Sequence, residues 1–140
     1  MKKLLCAALV LAACSDPVAS GVVRVDTERE AYAVFRPDQV VTVRFTVANA
    51  GDKPISVSTC ASRMNVQVQR KQDGDWIMVT PVALPCPGVA ALRVIEPGGA
   101  STDSVTVQGF GTWRVHVPYN RGQSGGNADS REFETWIPPD

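Results

Sequence analysis

Between residues 41 and 47 apolar and polar side chains alternate without a break: Val41, Val43, Phe45 and Val47 on one side, Thr42, Arg44 and Thr46 on the other. A period of two predicts a strand with one face in a core and one in water. The pattern resumes over residues 55–60, with Ile55 and Val57 inward, and repeats over residues 64–69. Further runs cover residues 76–80, 104–107, 112–117 and 132–137, the last expected as an edge strand. Turn signals separate them. Ala50-Gly51-Asp52-Lys53-Pro54 follows the first run, and Asp73-Gly74 predicts a tight hairpin because glycine accepts positive φ. Glu96-Pro97-Gly98-Gly99 has proline and glycine where a type II turn needs them. Residues 121–130 are polar and glycine-rich and predict a long mobile loop. No stretch carries a sustained helical period.

Many short strands with closely spaced turns and no crossover helices predict an all-β, antiparallel β-sandwich, with a closed barrel as the alternative. Trp76 and Trp113 lie in alternating runs and are expected in the core. Trp136 is expected in a satellite core; if exposed, it would be a candidate partner contact. His116 alternates onto the face of Arg114, opposite Trp113, Val115 and Val117, and is expected to point outward.

The first residues follow a different pattern. Met1-Lys2-Lys3 is a basic start, and the apolar run from Leu4 to Ala13 is too short to span a bilayer as a helix. Leu11-Ala12-Ala13-Cys14 resembles the lipobox of bacterial exported lipoproteins. That resemblance implies a cleaved signal peptide at residues 1–13 and an acylated Cys14 anchored in membrane lipid. Residues 14–21 would then be lipidated N-terminus and tether, and residues 22–140 one domain. Ser15, rather than Asp, after the cysteine implies the outer membrane facing the periplasm, in an organism with two membranes.

Charge adds little to this picture. Lys plus Arg and Asp plus Glu both number 14, and without Lys2 and Lys3 the balance is slightly acidic. Nothing in it suggests nucleic acid. Export changes the reading of the cysteines. Cys60 and Cys86 are the two left in the domain, in a compartment where disulfides persist, and a bridge is expected between them. Closing a loop of about 27 residues would contribute ~3.5 kcal/mol by chain entropy. It would pin the proline-rich connection at residues 81–88.

Candidate chemistry is sparse. Cys60, Met64, Cys86 and His116 are soft-metal ligand types, but one histidine is too few for a blue-copper site or a convincing triad. Asp73-Gly74-Asp75 lacks the remaining ligands of a calcium loop. Gly122, Gly125 and Gly126 lack the Gly-Lys-Ser/Thr of a phosphate cradle. No catalytic, cofactor or metal site is expected.

The order of Val22-Val23-Arg24-Val25, Asn49-Ala50-Gly51, Cys60, Trp76, Cys86, Pro97-Gly98 and Gly111-Thr112-Trp113-Arg114-Val115 resembles small secreted bacterial immunoglobulin-like domains. It also resembles the intracellular proteinase inhibitor family. Both imply an immunoglobulin-like β-sandwich, and neither match carries a chemical motif. The expectation is a lipid-anchored, non-catalytic envelope domain, an interaction or structural module with an envelope protein as possible partner. The alternative is a proteinase inhibitor presenting residues 61–63 or 81–88.

Overall fold

The computed structural model describes residues 22–79 and 91–139. The expectations for the signal peptide, Cys14, the tether, Cys86 and the 81–88 connection lie outside the described residues. Within them run β1 (Val23–Thr27), β2 (Ala31–Ala33), β3 (Val40–Asn49), β4 (Ile55–Cys60), β5 (Arg63–Met64) and β6 (Gln67–Gln72). Then follow β7 (Asp75–Val79), β8 (Ala91–Ile95), β9 (Ala100–Gln108), β10 (Gly111–Arg121), β11 (Ser124–Asp129) and β12 (Phe133–Trp136). No helix occurs among the described residues.

One sheet has the order β1-β3-β9, antiparallel throughout. The other is built on β10, which has β12 and β11 along one side and β6 and β4 along the other. β7 pairs with β6, and β8 with β4. β4 and β6 thus act as one long strand broken by an excursion at residues 61–66. Their partners β7 and β8 are separated in the chain by residues 80–90. β2 runs parallel to β12, the exception in an otherwise antiparallel sheet. The domain is an all-β, immunoglobulin-like sandwich.

The alternation read from the sequence is what closes it. Val43, Phe45 and Val47 of β3 face Ile55, Val57, Val68, Trp113, Val115, Val117 and Phe133 across the core, all essentially inaccessible. Burying each such side chain fully stabilises the fold by about 1.5 to 3 kcal/mol. The indole of Trp113 must still satisfy its N–H, and Nε1 donates to Thr135 Oγ1 at 2.8 Å while that hydroxyl donates to the Gly109 carbonyl.

Asn49 joins the two sheets at one end. Its Nδ2 donates to the carbonyls of Lys53 and Ile95, both at 2.9 Å, and its Oδ1 accepts from the Gly51 N–H. Nearby, the expected type II turn forms: Gly98 has φ 75° and the Gly99 N–H donates to the Glu96 carbonyl at 2.8 Å. The chain crosses there from β8 to β9, from one sheet to the other.

Four expectations need correction. Residues 121–130 are not a mobile loop: β10 runs through Arg121, Gly122 (φ 63°) opens a two-residue turn, and β11 returns along it. Gly126 of β11 leaves room for the ring of its cross-strand partner Tyr119, which a Cβ there would meet at 2.6 Å and push aside. The strand at Phe133–Trp136 is not an edge, since β2 covers its outer side. Trp76 is outside the core: Val79 of β7 packs inward, which turns Trp76 to the outer face. Trp136 is exposed rather than in a satellite core.

Candidate functional site

Cys60 ends β4, half-buried, at the lip of the excursion. The next two residues, Ala61 and Ser62, hold φ of 48° and 67°, and Cys60 pairs with Arg63 across them. This is a two-residue hairpin turn of the primed kind, made without glycine or asparagine. Left-handed backbone costs an ordinary residue about 1 kcal/mol or more, so something must hold it there. The holder is a half-buried ion pair between β8 and β9. Arg93 Nη2 donates to the Ser62 carbonyl and Nη1 to Ser101 Oγ, while Asp103 Oδ2 lies 3.7 Å from the guanidinium. The same Asp103 oxygen accepts from the Met64 N–H at 2.7 Å. Met64, a candidate metal ligand by type, is buried in the core, away from His116 on the outer face.

That outer face of the second sheet carries a polar row spanning β7, β6, β10 and β11. The Arg114 guanidinium stacks 4.3 Å from the Trp76 ring centroid, Nε donates to Gln69 Oε1 at 2.7 Å, and Nη1 lies 3.1 Å from Asp129. His116 Nδ1 meets the other Asp129 oxygen at 2.6 Å. His116 shares the face of Arg114, as the alternation predicts, but is half-buried and paired. The groups satisfy one another, and no serine nucleophile sits among these contacts. Among the described residues no cluster of three or more His, Cys, Asp or Glu side chains is placed to hold a metal.

Tyr32 is buried edge-on against Phe133, with ring centroids 5.8 Å apart. Its hydroxyl has no hydrogen-bond partner of normal geometry, and burial pushes the phenol pKa above its ordinary 10.0, the Arg29 backbone pulling weakly the other way.

The surface also leaves large apolar side chains open. Ile77, Met78, Leu92 and Val94 are exposed along β7 and β8, an edge with no strand partner beyond β6 and β4 among the described residues. Phe35, Val40, Phe110, Trp136 and Ile137 are exposed at the end of the sandwich opposite Val22 and Asn49. Sequence reasoning singled out only Trp136 of these, because local alternation does not show which distant segments the fold brings to one end.

No family model matches the chain, and no curated protein does. Solved structures share its general shape at low identity. The ASH/PapD-like domain 7 of human CEP192 is 14% identical, covering 99% of this chain and 100% of that one, with a TM-score of 0.39. The Northeast Structural Genomics Consortium target SoR45 is 16% identical over 83% of this chain and 86% of that one, TM-score 0.46. The sporulation control protein Spo0M from Bacillus subtilis is 16% identical over 86% of this chain and 51% of that one, TM-score 0.40. Such likeness says nothing of function. The architecture rests on the strand pairing described above.

Proposed function

We propose that the chain is a lipid-anchored, non-catalytic module of the cell envelope that binds a partner or serves a structural role there. The observation that favours this reading is the contrast between self-satisfied polar clusters and the nine large apolar side chains that are exposed among the described residues, four along the β7 and β8 edge and five at one end. Large apolar groups left in water in contiguous groups are a mark of interaction surfaces. The lipobox-like Leu11-Ala12-Ala13-Cys14 supplies the anchor in this reading, and the outer membrane is its place in an organism with two membranes. A Cys60–Cys86 bridge belongs to the same proposal.

The test is metabolic labelling with an alkyne fatty acid, followed by membrane fractionation of the wild type and Cys14→Ala. The label and membrane retention should both vanish in the variant; an unlabelled wild type, or a variant that stays in the membrane, would sink the anchor. Crosslinking in native membranes then asks whether a specific envelope protein is recovered only with the acylated form. The inhibitor alternative draws on the rigidly held Ala61–Ser62 turn, yet protease clefts take extended backbone and this turn is tightly folded. Titration against arginine-specific serine proteases, with Arg63→Ala as control, decides it.

A further inference from the structure

We infer that the end of the sandwich remote from Val22 is a docking surface for a protein segment that is apolar and basic. This rests on the interaction-module reading and assigns it a place and a partner chemistry. Three separate pieces of chain are tied together there. The Val34 N–H donates to the Trp136 carbonyl at 2.8 Å, joining the segment after β2 to the end of β12. The Gly109 N–H donates to the Gln39 carbonyl, and Gln108 Nε2 to that of Asp38, joining the same segment to the β9–β10 turn. Gly111 pairs with Thr135, which sets Phe110 beside Trp136. Each piece thus brings an aromatic side chain into water: Phe35 is 72% exposed, Phe110 43% and Trp136 41%. Backbone fixed by hydrogen bonds with aromatic groups left uncovered is the arrangement of interface anchors, which lose little entropy when a partner covers them.

Charge selects the partner. Arg70 is engaged with the Phe110 carbonyl and the Trp113 ring, and Arg36 is 3.9 Å from Asp38. Asp73 and Asp75, at the β6–β7 tip, and Glu134, two residues before Trp136, have no ion pair among the described residues. Arg70 keeps its charge in those neutral contacts, so the rim sets three unpaired carboxylates against one cation and is acidic on balance. Two copies meeting end to end would bring acidic rim against acidic rim, and an anionic lipid surface would be repelled in the same way. A segment with lysine or arginine around an apolar centre is attracted.

The experiment pans a displayed library of random short peptides against the full-length acylated protein in detergent. Enriched sequences should combine aromatic or aliphatic residues with lysine or arginine. Their affinity should fall about tenfold or more in Phe110→Ser/Trp136→Ser. It should fall several-fold in Asp73→Asn/Asp75→Asn/Glu134→Gln and in about 0.5 M salt, and be unchanged in Leu92→Ser/Val94→Ser. All these side chains are exposed, so thermal unfolding should stay as in the wild type; the charge variant tests the inference even if the aromatic one misfolds. The inference is overturned if nothing is enriched, if enriched peptides lack basic residues, or if they survive both end variants. Self-association in sedimentation that the aromatic variant abolishes would make the occupant a second copy and overturn it too. Peptides lost only in the Leu92/Val94 variant would sink this inference while leaving the interaction-module reading in place.

Discussion

Two hairpin turns of equal length follow the two halves of the long broken strand, Ala61-Ser62 between β4 and β5 and Asp73-Gly74 between β6 and β7, and they reach left-handed backbone by opposite means. At Asp73 and Gly74 φ is 51° and 92°, and both residue types tolerate the left-handed region, so the turn is held by local preference. At Ala61 and Ser62 φ is 48° and 67°, and neither residue favours it. That turn is held from outside, by Arg93 and Asp103 reaching from β8 and β9. A turn held locally survives changes elsewhere. One held at a distance reports on the packing of the two sheets.

The comparison breaks most visibly at Asp103. Asp103→Ala strands the Met64 N–H and the half-buried Arg93, and should lower stability by about 2 to 3 kcal/mol in urea unfolding. A loss no larger than that of an exposed aspartate would mean the ion pair does not hold the turn. Next in size are two glycine swaps of opposite sign. Gly74→Ala should cost about 1 kcal/mol, whereas Ser62→Gly should add a similar amount by relieving strain; destabilisation by both would remove the distinction between the turns. Combining Ser62→Gly with Asp103→Ala sharpens it further. Once the buttress is gone the turn can relax, so the gain from glycine should shrink below about 0.5 kcal/mol, a non-additivity that a double-mutant cycle reads directly. The smallest effect is a control away from both turns. The folded-state pKa of Tyr32 is raised, so its contribution is fully present below pH 10.0 and is lost as pH rises through the folded value. Tyr32→Phe should be near neutral at pH 7 and flatten the alkaline decline; an equally steep decline in the variant would place its origin elsewhere.

The same contrast explains what could be read in advance. Val41 to Val47 alternate because one face of β3 is core, and Asp73-Gly74 names its turn by residue type; both were legible. The strand at Ser124–Asp129 was not, because Gly125, Gly126 and Asn127 have no apolar period. Its place is fixed by β10, by the Tyr119 ring over Gly126, and by the Gly122-Gln123 turn. Glycine at the first turn position was the overlooked signal. Trp76 was misplaced for a related reason: a strand with one tryptophan and a methionine on the same side gives no local sign of which side is inward, and the pairing of Val79 with Val68 decides it. The Arg93–Asp103 pair is a meeting of residues on strands from different sheets, and no local spacing encodes it.

The two ends of the described chain leave the sandwich at opposite poles, Val22 beside Asn49 and the residues after Trp136 beside Phe110. Tension applied between them would act along the strands, so the β1–β3 ladder would be loaded in shear, with its five residue pairs resisting together rather than peeling one at a time. A domain strung in this way can carry a mechanical load from one end to the other with its core intact.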